Sequence, residues 1–264
     1  MKTSYLLHSA RRWIRIAIVA ALAAGCADEL PAQTSNGLAP LPESMRYPTN
    51  QALLPGKGPI PSWKPFPQLW ARRRAEFLQH RDQDKGAVVF LGDSITQGWN
   101  DLPKQFPDMK IANRGIGGDT TRGVWFRLRE DVLDLDPKAV ILLIGTNDLG
   151  NNGDPEDAAN NIQSILAALR ASNPKMPIVL CHVMPSKPGV ADRIKKLNAL
   201  LDAKVKGDRQ VTVCDTWTIY ATPEGTCTKE EFPDMLHPNK AGYEKWAAAL
   251  KPIFASLKLE TATN

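Results

Sequence analysis

The chain has 264 residues, 43% of them apolar, which is enough for the core of one α/β domain, or at most two, and sets aside a disordered or low-complexity protein. The formal charge of +5 is a poor guide to partners: Lys2, Arg11, Arg12 and Arg15 lie in the first 25 residues, which hold no acidic group, leaving 29 of the 33 basic residues against 28 acidic ones. A body so close to neutral gives no electrostatic case for a nucleic-acid partner.

In chain order, a basic stretch ending at Arg15 precedes "IAIVAALAAG", too short to be a permanent membrane anchor and the right size for the apolar core of an export signal over residues 1–25. "LAAGC" resembles a bacterial lipoprotein cleavage box with Cys26 as the lipidated residue and so a membrane tether, although Leu22 stands one place early; ordinary signal cleavage is the alternative. Arg11-Arg12 is also a weak twin-arginine signal. The expected location is outside the cytoplasm, as a periplasmic, outer-membrane-tethered or secreted protein.

Residues 26–67 are expected to be a Pro-rich linker, because nine of the 21 prolines fall between Ala27 and Pro67 with no apolar periodicity. An extended tether is the first reading and a tail that wraps the domain is the second; Trp63, Phe66 and Trp70 favour packing of its final part. The folded domain is expected over residues 68–258, with a tail over 259–264.

Within that domain helices and strands alternate. "QLWARRRAEFLQHRD" reads as a helix, "AVVFLG" as the first strand, "KIANRG" as the second, "TTRGVWFRLRE" as a helix and "AVILLIG" as the third strand. Asp154-Pro155 opens a helix as its cap and first residue, with Ile162, Ile165, Leu166 and Leu169 on one face. "PIVLCHV" is the fourth strand, Val190, Ile194, Leu197 and Leu201 stripe the next helix, and "QVTVCD" is the fifth strand. Trp246, Leu250, Ile253 and Leu257 mark a final helix. This alternation implies a three-layer α/β/α sandwich with about five parallel strands in flavodoxin-like order. Cys181 and Cys214 fall in strands and Cys227 in a loop, without a spacing that suggests zinc or redox work. They read as buried thiols; an exported protein could form one disulfide among them, and the sequence does not choose.

In such sheets ligands bind beyond the carboxyl ends of the strands. Gly92-Asp93-Ser94 follows strand one, "GIGGDTT" strand two, "GTND" strand three, and a loop ending in "DMLH" strand five. Each has an ordinary structural use alone: Asp93 or Ser94 can cap a helix, the glycines can form a turn, Asn147 can sit in one, and His237 can be a loop residue. Together they collect a hydroxyl, glycine amides, an amide side chain, a carboxylate and an imidazole at one edge, the inventory of acyl transfer.

The four blocks "FLGDSIT", "NRGIGGDTT", "LIGTND" and "DMLHPNKAGY" resemble the SGNH hydrolases, the GDSL-type esterase family, over about Val88 to Lys251 and in the family's order. Within it, "NRGIGGDTTRGVWFRL" and the D-x-x-H spacing are most similar to the catalytic subunits of platelet-activating-factor acetylhydrolase and their bacterial relatives. The resemblance implies Ser94 as nucleophile, His237 as base, Asp234 as its orienting acid, and Gly118 with Asn147 in the oxyanion hole. The chain's chemistry agrees. A serine hydroxyl needs a base poised near neutrality. Of four histidines, His8 lies in the signal and His80 precedes the first strand, so His182 is the rival of His237. Asp234, three residues before His237, favours the latter, and His182 reads as structural. Ser94 at a helix start would add its own amide to the oxyanion site. Asp93 is expected to serve turn geometry, and Asp119, Asp148 and Asp154, scattered among different turns, to act as caps; no metal or cofactor is expected.

The expected activity is hydrolysis of short acyl esters, acetyl above all, on a small-molecule or carbohydrate substrate through an acyl-Ser94 intermediate. A lysophospholipase or small lipid esterase is the alternative, and a flavodoxin-like protein that binds a phosphorylated ligand without catalysis is the reading outside enzymes. Trp99, Asn100 and Trp125 either form a sugar platform or pack. The oligomeric state is left open.

Overall fold

The computed structural model describes residues 41–259, apart from Thr49 and Ser62. The export signal, Cys26 and residues 260–264 lie outside the described residues, so the readings placed there stay expectations. Among the described residues no helix is long and apolar enough to cross a membrane.

Five strands form one parallel sheet: β1 (Val88–Gly92), β2 (Ile111–Gly115), β3 (Ala139–Leu143), β4 (Ile178–Cys181) and β5 (Val211–Cys214), in the order β2-β1-β3-β4-β5. This is the flavodoxin-like winding that the alternation predicts. Burial on both faces explains the continuous apolar runs of β1, β3 and β4, and the period of two assigns their side chains to opposite layers. Val89, Leu91, Val140, Leu142, Ile178 and Leu180 pack on one side with α4 (Thr121–Asp131), α6 (Pro155–Ser172) and α7 (Ala191–Val205). Val88, Phe90, Ile141, Leu143, Val179 and Cys181 pack on the other with α8 (Lys240–Ser256).

The helices follow their sequence signals. Asp154 accepts a hydrogen bond from the Glu156 N–H with Pro155 at the first position, and Ile162, Ile165, Leu166 and Leu169 are all buried. Each such side chain contributes roughly 1.5–3 kcal/mol of burial. In α8 the large fully buried side chains are Trp246, Leu250 and Phe254, while Ile253 and, just past its end, Leu257 are only partly covered, because the inward stripe runs at a spacing of four.

Residues 41–67 depart from the tether reading. Helix α1 begins at Phe66, two residues before the expected boundary, and runs to Gln79. Before it the chain lies against the domain: Leu41, Met45 and Leu54 are buried, and Tyr47 packs edge-on against Phe66 and Trp70 at 4.9 and 5.1 Å. Carbonyls of this segment, most of them without a donor inside it, are taken by side chains of the domain. Trp70 Nε1 and Arg74 Nη1 donate to Met45 O, Asn161 Nδ2 to Lys57 O, and the Arg122 guanidinium to the carbonyls of Gln51, Leu54, Pro55 and Gly58. Over its described part, the segment is the wrapping tail of the second reading.

Candidate active site

The strand ends converge as the topology requires. β1 stops at Gly92, Asp93 caps the one-turn helix α2 (Ser94–Gln97) through a 3.0 Å bond from the Ile95 N–H, and Ser94 occupies the first helical position. There a helix leaves its first amides, that of Ser94 included, without a partner inside the helix. One turn of helix carries little macrodipole, so that amide itself is what the local structure offers. From behind, α8 fixes this turn: Tyr243 Oη donates to Ile95 O at 2.8 Å.

His237 comes to the same point from the loop after β5. Its Nε2 stands 2.9 Å from Ser94 Oγ, and its Nδ1 stands 2.6 Å from Asp234 Oδ2. The other Asp234 oxygen accepts the backbone N–H groups of Leu236 at 3.0 Å and His237 at 2.7 Å, so a single carboxylate closes the turn and addresses the ring. Met235, between them, holds a left-handed backbone with φ of 60°, a conformation unusual for its residue type and common at functional sites. Burial alone would raise the Asp234 carboxyl, but the His237 and Leu236 donors outweigh it and hold its pKa below the ordinary carboxylate value.

Gly118 and Asn147 border the same cleft, which measures about 530 Å³ and also meets Trp63, Leu69, Gln97, Asn100 and Leu236. Gly118 has φ of +81°, and a Cβ there would come within 2.8 Å of Trp63 Nε1, so the neighbour that this glycine admits closely is the indole of the N-terminal segment. Asn147 Nδ2 donates to Asp119 O at 2.9 Å and makes a longer, 3.3 Å contact with Asp93 Oδ2. A smaller cavity of about 210 Å³ adjoins at Asn147 and Leu236 and is lined in part by Leu149, Val190, Ile194 and Met235.

Below the cleft lies what the sequence reading missed. Asp119 and Asp148, which read from the sequence as caps in separate turns, are gathered by the fold with Asp93 in full burial. Asp148 accepts from Thr121 N–H and Thr121 Oγ1 at 3.0 and 2.6 Å, so it caps α4 from across the chain. Asp119 pairs with the buried Arg127, whose Nε donates at 2.8 Å and whose Nη2 donates to Gly92 O and Arg114 O, tying together the ends of β1 and β2. Burial, first of all, pushes Asp93 and Asp148 up to about 7 and Asp119 up to about 6, the last opposed by Arg127. Only Asp154 is a plain cap. A buried arginine on the polar-looking "RGVWFRLRE" helix was the available signal.

The other candidates fall outside the site. His182 is buried between Asp215 and Asp202, at 3.1 and 2.9 Å, with no contact to Ser94 in this network. Trp99 is buried and stacks on Tyr243 and Trp246 at 5.2 and 4.7 Å, and Trp125 is partly buried against the core, so both pack. Cys181, Cys214 and Cys227 are buried free thiols, and no group able to hold a metal occurs among the described residues.

A model of the GDSL-like Lipase/Acylhydrolase family matches residues 90–245, more than half of the chain and all four strand-end blocks. The chain belongs to this family. It is therefore a carboxylic ester hydrolase of the GDSL type. Among its curated relatives is platelet-activating factor acetylhydrolase IB subunit alpha2 of Homo sapiens, 28% identical over 202 residues, which span 73% of this chain and 86% of that protein. Another is the alpha1 subunit of Rattus norvegicus, 26% identical over 219 residues, 76% of this chain and 92% of that one. A solved GDSL-like lipase from Bacteroides thetaiotaomicron superposes with a TM-score of 0.61 at 25% identity, covering 68% of this GDSL hydrolase and 97% of that chain.

Proposed function

We propose that this GDSL hydrolase removes short acyl groups, chiefly acetyl, from carbohydrate esters, with Ser94 as nucleophile, His237 as general base and Asp234 as the acid that orients it. The hydrogen-bonded line from Asp234 through His237 to Ser94 Oγ, opening on the cleft, carries the reading. In the first step Ser94 Oγ attacks the ester carbonyl while its proton passes to His237 Nε2. The tetrahedral intermediate then collapses, and the alcohol leaves with that proton. Water next attacks the acyl-Ser94 ester, giving its proton to the same nitrogen, and the acid departs as Ser94 recovers the proton. Asp234 keeps Nδ1 protonated and stabilises the imidazolium in both halves. The negative oxygen of each intermediate would be met by the Ser94 and Gly118 amides and by Asn147 Nδ2, which would exchange its long Asp93 contact for the stronger bond.

Three features support the acyl and alcohol preferences. The relatives are named as acetylhydrolase subunits. The cleft presents the polar side chains of Gln97, Asn100 and Asn147. The adjoining 210 Å³ cavity lies below the roughly 300 Å³ at which drug-sized ligand pockets begin. That cavity's Leu149, Val190, Ile194 and Met235 lining favours a second reading, a lysophospholipase or small lipid esterase. Export to the periplasm, outer membrane or medium, with Cys26 as a lipid anchor, is part of the proposal and rests on residues 1–26 alone. Measuring kcat/KM for p-nitrophenyl acetate, butyrate and octanoate separates the two substrate readings. The acetyl reading expects a fall along the series, since longer chains meet steric limits near Ser94 while each methylene left in water forgoes up to about 0.8 kcal/mol of compensating burial. A rise toward octanoate would overturn it in favour of the lipid ester.

A further inference from the structure

Among the described residues, the two large apolar side chains that stay exposed, Leu53 at 64% and Trp63 at 44%, both belong to the segment before α1. Trp63 also borders the catalytic cleft. It lies outside residues 90–245, so the family match does not include it.

Its position is built. On one side Pro61 is buried, Gly58 O accepts from Arg122 Nη1 at 3.1 Å, and Lys57 O accepts from Asn161 at 2.7 Å. On the other, Phe66 is fully buried in the Tyr47–Trp70 cluster and holds the Trp63 ring edge-on at 6.1 Å. Gly118, with no Cβ, lets the indole approach the loop whose preceding residue, Gly117, lies against Ser94. A chain segment anchored at both ends thus presents an indole with free surface beside the nucleophile, with Gln97 and Asn100 in the same cleft. Its exposure sets it apart from Trp70, Trp99 and Trp246, which are buried, and from Trp125, which is partly buried against the core.

We propose that Trp63 is a specificity-determining residue, the platform on which a ring in the alcohol half of the ester stacks, so that the wrapping segment completes the substrate site of this esterase. The inference rests on the esterase reading above and adds the recognition of ring-bearing alcohols to it. The apolar face of a pyranose or an aryl ring lies on the indole, and polar side chains of the cleft meet ring hydroxyls. Ethyl esters gain nothing from it.

The test uses the full chain with Trp63→Ala and Trp63→Phe, and compares ethyl acetate, phenyl acetate and a methyl xyloside peracetate. For Trp63→Ala, kcat/KM for both ring-bearing esters relative to ethyl acetate should fall about three- to tenfold, carried by KM, and Trp63→Phe should recover most of the loss. An unchanged ratio would overturn the proposal, as would a loss in kcat shared equally with ethyl acetate, which would mean that Trp63 only supports the Gly118 loop. If the wild-type enzyme turns over phenyl acetate but ignores the xyloside, the carbohydrate reading fails while the phenyl arm still reads Trp63.

Discussion

Asp234 reaches Ser94 through His237, and Asp93 precedes Ser94 in the chain, yet the two carboxylates stand in opposite surroundings. Asp234 is more than half exposed, and donors on both of its oxygens hold it below the ordinary carboxylate value. Asp93 is fully buried, and its desolvation, with Asp119 and Asp148 nearby, pushes it up to about 7. The difference teaches that the number of donors decides protonation where water remains, and burial decides it where water is gone. In the proposed mechanism the upper set, Asp234 with His237 and Ser94, carries charge during the reaction. The lower set ties strand ends to helix starts and holds that arrangement still.

The largest expected effect breaks the upper set. His237→Ala and Asp234→Asn should each cost about 10⁴ in kcat, and the double variant should lose little more, because triad members act as a unit. Multiplying losses would show that the two act separately. Both variants should keep their unfolding free energy within about 0.5 kcal/mol, since these side chains lie at the half-exposed edge. Arg127→Leu reverses the pattern: it leaves Asp119 buried without its partner and should cost about 3–5 kcal/mol in urea unfolding. A variant as stable as wild type would remove the structural role given to this pair.

The last expected effect is a pH slope. Asp93, Asp119 and Asp148 have folded pKa values raised from 3.8 to between about 6 and 7. Between those limits the folded chain keeps protons that the unfolded chain has released, so their contribution to stability is present at low pH and lost as pH rises. The Tm should therefore carry a component that falls from about pH 4 to about pH 7, and Asp148→Asn should reduce that fall. A slope identical in Asp148→Asn and wild type would contradict the assignment. Asp234 acts in the opposite direction: its depressed pKa means that its interactions are lost only as the medium becomes acidic.

The contrast also separates what the sequence could and could not tell. The sheet was legible because β1, β3 and β4 are continuous apolar runs that only two-sided burial explains. The convergence of Ser94, Asp234 and His237 was legible from the four strand-end blocks taken together and from their resemblance to one family, since each block alone has an ordinary use in a turn or a cap. The buried carboxylates were not: Asp93, Asp119 and Asp148 occupy three different turns, and nothing local tells a solvated cap from a buried one. Residues 41–67 carry two readings, an extended tether and a wrapping tail, and the sequence does not choose between them for a related reason. Proline content reports the lack of self-pairing, and the partners of those carbonyls, Arg74, Arg122 and Asn161, lie far along the chain.

The central claim is that Ser94 forms the covalent bond, and labelling by a fluorophosphonate followed by mass mapping of the modified peptide tests it most directly. The account predicts one adduct, on Ser94, and none in Ser94→Ala at a nearly unchanged Tm. An adduct on another residue, or labelling and turnover retained in Ser94→Ala, would contradict it.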